Sequence, residues 1–156
     1  MLYLVLKALH VLSVVLFLGN IITGIFWKSH ADRAGDLRGR AQALAGIIES
    51  DRRFTVPSVL AIIATGLSLT SIAHLPILGL PWILWSLVLF GVAGAVFGVQ
   101  VGPLQKKLLS NVQAGIAGQW DEAEYHTLSK RWQYWGWVAT GAPLIALFLM
   151  VLKPAG

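Results

Sequence analysis

The sequence predicts an all-α integral membrane protein, an up-down-up-down bundle of four helices with short helical extensions at one end. Four apolar stretches of about 20 residues or more support this, because at a rise of 1.5 Å per residue each can cross a hydrocarbon core of roughly 30 Å. The composition agrees, since 56% of the residues are hydrophobic and only 12% are charged. We therefore expect one domain over residues 1–156, with spans at about 2–27, 54–73, 80–102 and 132–152.

The basic residues predict the orientation of the bundle. The first and third connections hold ten of the twelve Lys and Arg residues, whereas the second connection, residues 74–79, holds none. By the positive-inside rule, the first and third connections are cytoplasmic and both termini lie outside. The net charge of +5 then reflects topology and contact with anionic lipid, so we expect the bilayer and not nucleic acid as the partner.

The first connection contains an amphipathic pattern. Leu37, Ala41, Leu44 and Ile48 recur at helical spacing with charged residues between them. This pattern predicts a short helix at the inner interface or extending towards the second span.

The third connection is also predicted to be helical. Apolar residues continue the face of the third span at intervals of four: Leu104, Leu108, Val112 and Ile116. Further on, Asp121 followed by Glu124 resembles a capping box, so the fourth helix is expected to begin there, before it enters the membrane.

Tryptophan and glycine positions add two expectations. The tryptophans near predicted span ends are expected to anchor in the lipid interface: Trp27, Trp132, Trp135 and Trp137 at the inner end, and Trp82 and Trp85 at the outer end.

In the third span, Gly94 and Gly98 have the small-x-x-x-small spacing that lets helix backbones approach closely. That contact is expected either within the bundle or between two copies, as a homodimer; room for a flat ligand is the alternative.

The first span carries a polar stripe on one helix face, made of Lys7, His10, Ser13, Phe17, Asn20 and Gly24. Polar side chains are costly in lipid, so this face is expected to point into the bundle. We predict that His10 faces an internal cavity that opens towards the outer leaflet, lined also by Lys7, Ser13 and the outer half of the third span.

His10 has several interpretations. It could be an axial ligand to haem iron, a proton carrier or a copper ligand; the structural alternative is a histidine hydrogen-bonded at a helix interface. If haem is bound, Lys7 is placed to meet a propionate, although an interfacial lysine is the plainer interpretation. His74, at the outer end of the second span, is the candidate for a second ligand.

Other chemistry is poorly represented. There is no cysteine, which excludes disulfides and cysteine-bound clusters. The chain also has only two methionines, so it lacks a cluster of sulfur ligands for copper. His30 and His126, with Asp32, Glu122 and Glu124, are the alternative set for a metal site. Nucleotide-binding loops, zincin helices and nucleophile elbows are missing from the sequence, so no catalytic residue is identified.

The residues from Tyr3 to His10, the segment Asp51–Phe54 with Pro57, and Lys106–Leu108 resemble the HemJ-type protoporphyrinogen oxidases. That resemblance implies haem b bound through His10, although the arginine of helix one and the lysine and histidine of helix three in that pattern are absent here. Copper-resistance D-type membrane proteins have a similar first helix.

The chain is more similar to a second family, called domain of unknown function 2269. The opening Lys7-Ala8-Leu9-His10, Pro57, the segment Pro81–Ile83 and the segment Gly102–Gln105 carry this resemblance. It implies a bacterial membrane protein, and we expect the cytoplasmic (inner) membrane.

Two functional hypotheses follow. The first is a membrane protein that binds haem b through His10 and has a redox or tetrapyrrole-related role. The second is a non-enzymatic transporter or assembly partner in which His10 is purely structural. The sequence does not identify the small-molecule ligand in either case.

Overall fold

All four apolar stretches lie in helices, and the fold class predicted from the sequence is confirmed. The computed structural model describes residues 1–154, and within that range it contains no strand. The helices are α1 (Leu2–Ala34), α2 (Leu37–Ser50), α3 (Val56–Ile72), α4 (Pro81–Val96), α5 (Gly102–Ile116) and α6 (Glu122–Leu152).

Two π-helical segments join helices into longer units. Asp51–Thr55 connects α2 to α3 and Phe97–Val101 connects α4 to α5, so each unit is a continuous helix of 36 residues. A proline, Pro57 or Pro103, is the second residue of the helix after each segment. Proline has no N–H and its ring clashes with the carbonyl four residues earlier, so the chain widens locally where the regular α-helical ladder is interrupted.

The helical extensions predicted from the connections are present. The side chain of Asp36 caps α2 by accepting from the backbone N–H groups of Arg38 and Gly39 at 3.2 and 2.8 Å. The side chain of Asp121 caps α6 by accepting from the N–H of Glu124 at 2.9 Å. Both caps satisfy backbone donors that the first turn of a helix leaves free.

The helices pack as two pairs that are joined most tightly at one end. α1 lies against α3 and α4 against α6, while α2 and α5 pack together and α5 also contacts α6. The main core contains the nearly inaccessible side chains of Leu44, Leu108, Val112 and Tyr125. We call this end, formed by residues 28–53 and 103–131, the basic end. Farther along, the two pairs meet through Phe17 and Phe90, whose ring centroids are 5.6 Å apart.

One aromatic expectation was wrong. Trp132 was predicted to be an interfacial anchor, but only 4% of it is exposed and it belongs to the main core. Trp27, Trp85 and Trp137 are exposed by more than half, as an anchor requires. The helix that carries Trp132 begins about three turns earlier, at Glu122, so Trp132 packs among the helical extensions.

The glycine face of the third span does not pack within the chain. Gly94 and Gly98 are exposed, and a Cβ atom added at either would meet nothing within 4 Å. Of the two arrangements expected for this face, contact inside the bundle is therefore absent from residues 1–154, and contact between copies is the one that stays open.

Candidate functional site

The most distinctive polar group in the structure is the buried carboxylate of Asp51, which is 8% exposed. Its Oδ1 accepts from Asn20 Nδ2 at 3.1 Å and from Thr55 Oγ1 at 2.8 Å. Its Oδ2 accepts from Gln105 Nε2 at 2.9 Å. Three hydrogen bonds from uncharged donors therefore hold one carboxylate between α1, the α2–α3 unit and α5.

No cation balances the charge of Asp51 within the described range, residues 1–154. The ion pairs there involve Asp32, Glu49 and Glu122 instead. The neighbouring Arg52 is exposed, and Arg53 is exposed and paired with Glu49. Burying a carboxylate without a neighbouring positive charge is energetically costly. Such groups are rare in membrane helices unless they have a function.

The buried side of the α2–α3 unit brings Asp51 into the interior. Buried residues recur along this unit at helical spacing: Leu44, Ile47, Asp51, Thr55, Ser58, Ile62 and Thr65. Asp51 is the only charged member of that stripe and stands at the start of the first π-helical segment. The second π-helical segment ends one turn before Gln105, so both irregular segments adjoin the same site. π-helical turns are often found at functional sites.

A small pocket lies beside the carboxylate. Its volume is about 30 Å³, and Asn20, Asp51, Gln105, Val101 and Trp132 are among the residues that line it. A polar cavity needs about 10–15 Å³ to hold a water molecule, so this pocket has room for one or two.

Trp132 contributes a polar atom without a partner. Its side chain lines the pocket, and its Nε1 is buried with no hydrogen-bond acceptor among residues 1–154. An indole N–H that is left unpaired in this way carries a desolvation cost unless water or another small acceptor occupies the adjacent space. The residue that carries this unpaired donor and the residue that carries the carboxylate thus line one pocket.

A second polar cluster holds together the helices of the basic end. Lys28 is 3% exposed, and its Nζ donates to Asp32 Oδ2 and Ser129 Oγ, both at 2.7 Å. The Tyr125 hydroxyl donates to Asp32 Oδ1 at 2.5 Å, and the Arg40 guanidinium lies 5.0 Å from the Tyr125 ring centroid. This cluster ties α1 to α2 and α6, and its buried charges are paired. We therefore interpret this cluster as a structural contact that stabilises the packing of the helical extensions.

His10 lies against α3. Its Nδ1 is 2.9 Å from Thr65 Oγ1, and the hydroxyl of Thr65 donates to the carbonyl of Ala61 at 2.5 Å. A hydroxyl has one hydrogen, so we assign the hydrogen between the two side chains to His10 Nδ1. In the neutral ring Nε2 then carries the free lone pair. The structural interpretation of His10, a hydrogen bond at a helix interface, describes this contact.

The other residues of the proposed ligand set are not gathered around His10. The Oγ of the buried Ser13 donates to the carbonyl of Leu9 at 2.8 Å, and Lys7 is exposed. His74 is exposed in the turn after α3, with a φ of 51°. The stripe predicted to face inward does so from His10 to Asn20, but Lys7 does not.

Haem binding at His10 would need space beside the imidazole ring. A porphyrin needs a slot of roughly 300 Å³ or more around its ligand. His10 lines neither the pocket beside Asp51 nor the larger cleft between α1 and α2. Neither of these two spaces therefore supports the predicted haem site.

The alternative metal set is not assembled either. His126 and Glu122 are 3.6 Å apart, but both are exposed on one face of α6. Asp32 is already bonded to Lys28 and Tyr125. Across residues 1–154 no group of three or more side chains of His, Asp or Glu is arranged to hold a metal ion.

The comparisons with known proteins agree with the architecture. The model of a family described as predicted integral membrane proteins (DUF2269) matches residues 4–154. The chain belongs to this family. The DUF2269 assignment, together with four helices that are long and apolar enough to span a bilayer, makes this an integral membrane protein. No curated protein and no solved structure matches the chain.

The sequence pointed to Asn20 but missed Asp51, Gln105 and Trp132 as members of one site. The amphipathic pattern of the first connection counts Asp51 only as one of the charged residues interspersed in that helix. The available signal was its spacing, since Asp51 follows Leu44 by seven residues, two helical turns. No sequence signal placed Gln105 opposite it, because that contact depends on how α5 packs.

Proposed function

We propose that this protein is a non-enzymatic membrane transporter in which Asp51 binds a proton or another small cation. The observation that carries the proposal is a buried, unpaired carboxylate beside a pocket with room for water. A carboxylate in that position is neutralised either by a proton or by a bound cation. The three uncharged donors orient it without supplying the missing positive charge.

The surroundings of Asp51 favour this function over a structural role. A structural charge is expected to be paired, as Lys28 is with Asp32 at 2.7 Å. Asp51 has no such pair in residues 1–154, and the unpartnered Nε1 of Trp132 belongs to a residue lining the same pocket. A pocket with room for water beside a carboxylate would hydrate a proton or cation bound there.

Ion flux into proteoliposomes tests the proposal. Purified protein is reconstituted with a pH-sensitive dye inside, and flux is driven by a diffusion potential in the presence or absence of Na⁺. We expect a flux that Asp51→Asn abolishes and Glu49→Gln preserves, because Glu49 is exposed and paired with Arg53. Separate arms with a proton gradient and with Na⁺ or K⁺ gradients identify the cation. Equal fluxes in wild type and Asp51→Asn would refute the proposal.

The second candidate is haem b at His10. It is favoured by one observation, the hydrogen bond to Thr65 that leaves Nε2 as a free ligand atom. The visible absorption spectrum of the purified protein separates the two candidates. A Soret band that His10→Ala removes would support haem, whereas a colourless protein with cation flux supports transport.

The membrane and the assembly are also part of the proposal. We place the protein in the bacterial cytoplasmic membrane with the basic end in the cytoplasm and both termini outside, on the charge asymmetry of its connections. We also propose a homodimer through the face of Gly94 and Gly98, which is free of contacts within residues 1–154. Small-residue faces of this kind allow close contact between helices.

A further inference from the structure

A cleft between α1 and α2 lies next to the pocket at Asp51. Its volume is about 530 Å³, and most of its lining residues, among them His30, Gly39 and Gln42, belong to the basic end. Within the described residues, no Lys, Arg, Asp or Glu lines the cleft. Its walls are mostly apolar, with a few uncharged polar groups, so it presents no fixed positive charge to an approaching cation.

The cleft and the pocket share three lining residues, Asn20, Gly24 and Ile47. The two spaces are therefore separated at most by the side chains of these residues. We call the place where these residues meet the neck. At Gly24 an added Cβ atom would lie 3.7 Å from Ile47 Cγ1, an ordinary van der Waals distance, so a larger side chain at this position would extend towards Ile47.

Asn20 stands at this neck and is bonded to the site. Its Nδ2 donates to Asp51 Oδ1 at 3.1 Å and to Thr55 Oγ1 at 2.9 Å. Because Asn20 lines both spaces, its amide lies between the cleft and the carboxylate. The buried apolar residues Val101 and Ala139 also line the pocket.

We infer that the cleft between α1 and α2 is the entrance through which water and the cation reach Asp51, with Asn20 as the gating side chain at the neck. This inference rests on the proposed function, in which Asp51 is the binding group. It adds the direction of access, from the aqueous phase at the basic end.

Cysteine accessibility tests the entrance without any transport assay. The chain has no cysteine, so Asp51→Cys gives a single thiol in place of the carboxylate. The probe is 2-aminoethyl methanethiosulfonate, a small cation; the thiolate attacks its sulfur, a disulfide forms and methanesulfinate leaves. Labelling of protein in lipid nanodiscs is followed by mass spectrometry.

The blocking variant is Gly46→Trp. Gly46 lines the cleft and an added Cβ there meets nothing within 4 Å, so the indole fills the cleft without disturbing the fold. The control is Ala45→Trp, at an exposed neighbour that does not line the cleft. We expect Gly46→Trp to slow labelling of Asp51→Cys by about tenfold or more, and Ala45→Trp to leave the rate unchanged. Equal rates with both tryptophans, or no labelling of the unblocked thiol, would overturn the inference.

A second pair of variants covers the neck. Asn20→Cys places the thiol there with the carboxylate intact, and it decides the outcome if Asp51→Cys does not fold. Gly24→Leu should slow labelling of Asp51→Cys, while Gly19→Leu, exposed with nothing within 4 Å, should not. If the blocking variants slow labelling but Asp51→Asn transports normally, the entrance stands and the proposed function is refuted. If labelling is unchanged but the cation flux depends on Asp51, the proposed function stands and the entrance is refuted.

Discussion

Gln105 Nε2 donates to Asp51 Oδ2 across 2.9 Å, and this bond joins the α2–α3 unit to the α4–α5 unit close to the irregular segment of each. Asp51 begins the π-helical segment between α2 and α3. Gln105 lies one turn after the π-helical segment between α4 and α5. The bond therefore fixes the relative position of two helices whose own hydrogen-bond ladders are widened nearby.

Loss of that bond should destabilise the fold. In Gln105→Leu the carboxylate keeps Asn20 and Thr55 but loses its third donor, and leaving a buried charged acceptor short of a partner costs about 2 kcal/mol. We expect a lower melting temperature in detergent. Gln113→Leu, on an exposed position of the same helix, should melt as the wild type does. Identical melting of the two variants would mean that the bond contributes nothing.

The cluster at the basic end gives a second stability prediction. Tyr125→Phe removes the hydroxyl that donates to Asp32 Oδ1, while Lys28 continues to hold Oδ2. The expected loss is about 1–3 kcal/mol, because the acceptor is charged and the tyrosine is buried. Tyr134→Phe serves as the control, since Tyr134 is 64% exposed. The prediction fails if denaturant unfolding gives both variants the wild-type stability.

Substitutions on the face of Gly94 and Gly98 should affect dimer formation and not the folding of the monomer. Because an added Cβ atom meets nothing within the chain, Gly94→Leu is expected to leave the stability of the monomer unchanged. In membranes, Gly98→Cys should form a disulfide between two copies under mild oxidation. Leu60→Cys, on α3 and 63% exposed, should not. Equal cross-linking at both positions would indicate random collision and remove the dimer from the proposal.

The orientation can be tested with the same cysteine-free background. We expect Gly79→Cys to react with an impermeant maleimide added outside intact cells, and Ser29→Cys to react only after the cells are opened. The basis is ten basic residues in the first and third connections against none in residues 74–79. Labelling of Gly79→Cys from the cytoplasmic side alone would invert the proposed topology.

Much of the fold was predictable from the sequence because its signals are local. The apolar stretches, the amphipathic spacing from Leu37 to Ile48 and the Asp121 cap each depend on residues close in the chain. The structure confirms all three, with α2 at Leu37–Ser50 and the cap bond from Glu124 N–H to Asp121 Oδ1. The π-helical segments were not predicted, although Pro57 and Pro103 mark where each helix begins again.

The candidate site was only partly predictable because its members come from distant positions. Asn20 is 31 residues from Asp51, and Gln105 is 54 residues from it. The sequence drew attention to His10, the histidine in an apolar helix, whereas its contact with Thr65 is a bond between neighbouring helices. Trp132 was assigned to the interface from its position near the end of an apolar stretch. Its burial follows from the helical extensions that pack around it.

The central claim is that the carboxyl group of Asp51 binds a proton or a small cation, and infrared difference spectroscopy of the protein in lipid tests it most directly. Spectra are recorded as the pH is changed and as Na⁺ or K⁺ is added, for wild type, Asp51→Asn and Glu49→Gln. We predict a carboxyl or carboxylate band that responds to one of these cations in wild type and Glu49→Gln and is missing in Asp51→Asn. A wild-type spectrum with no cation-dependent band that Asp51→Asn removes would contradict the account.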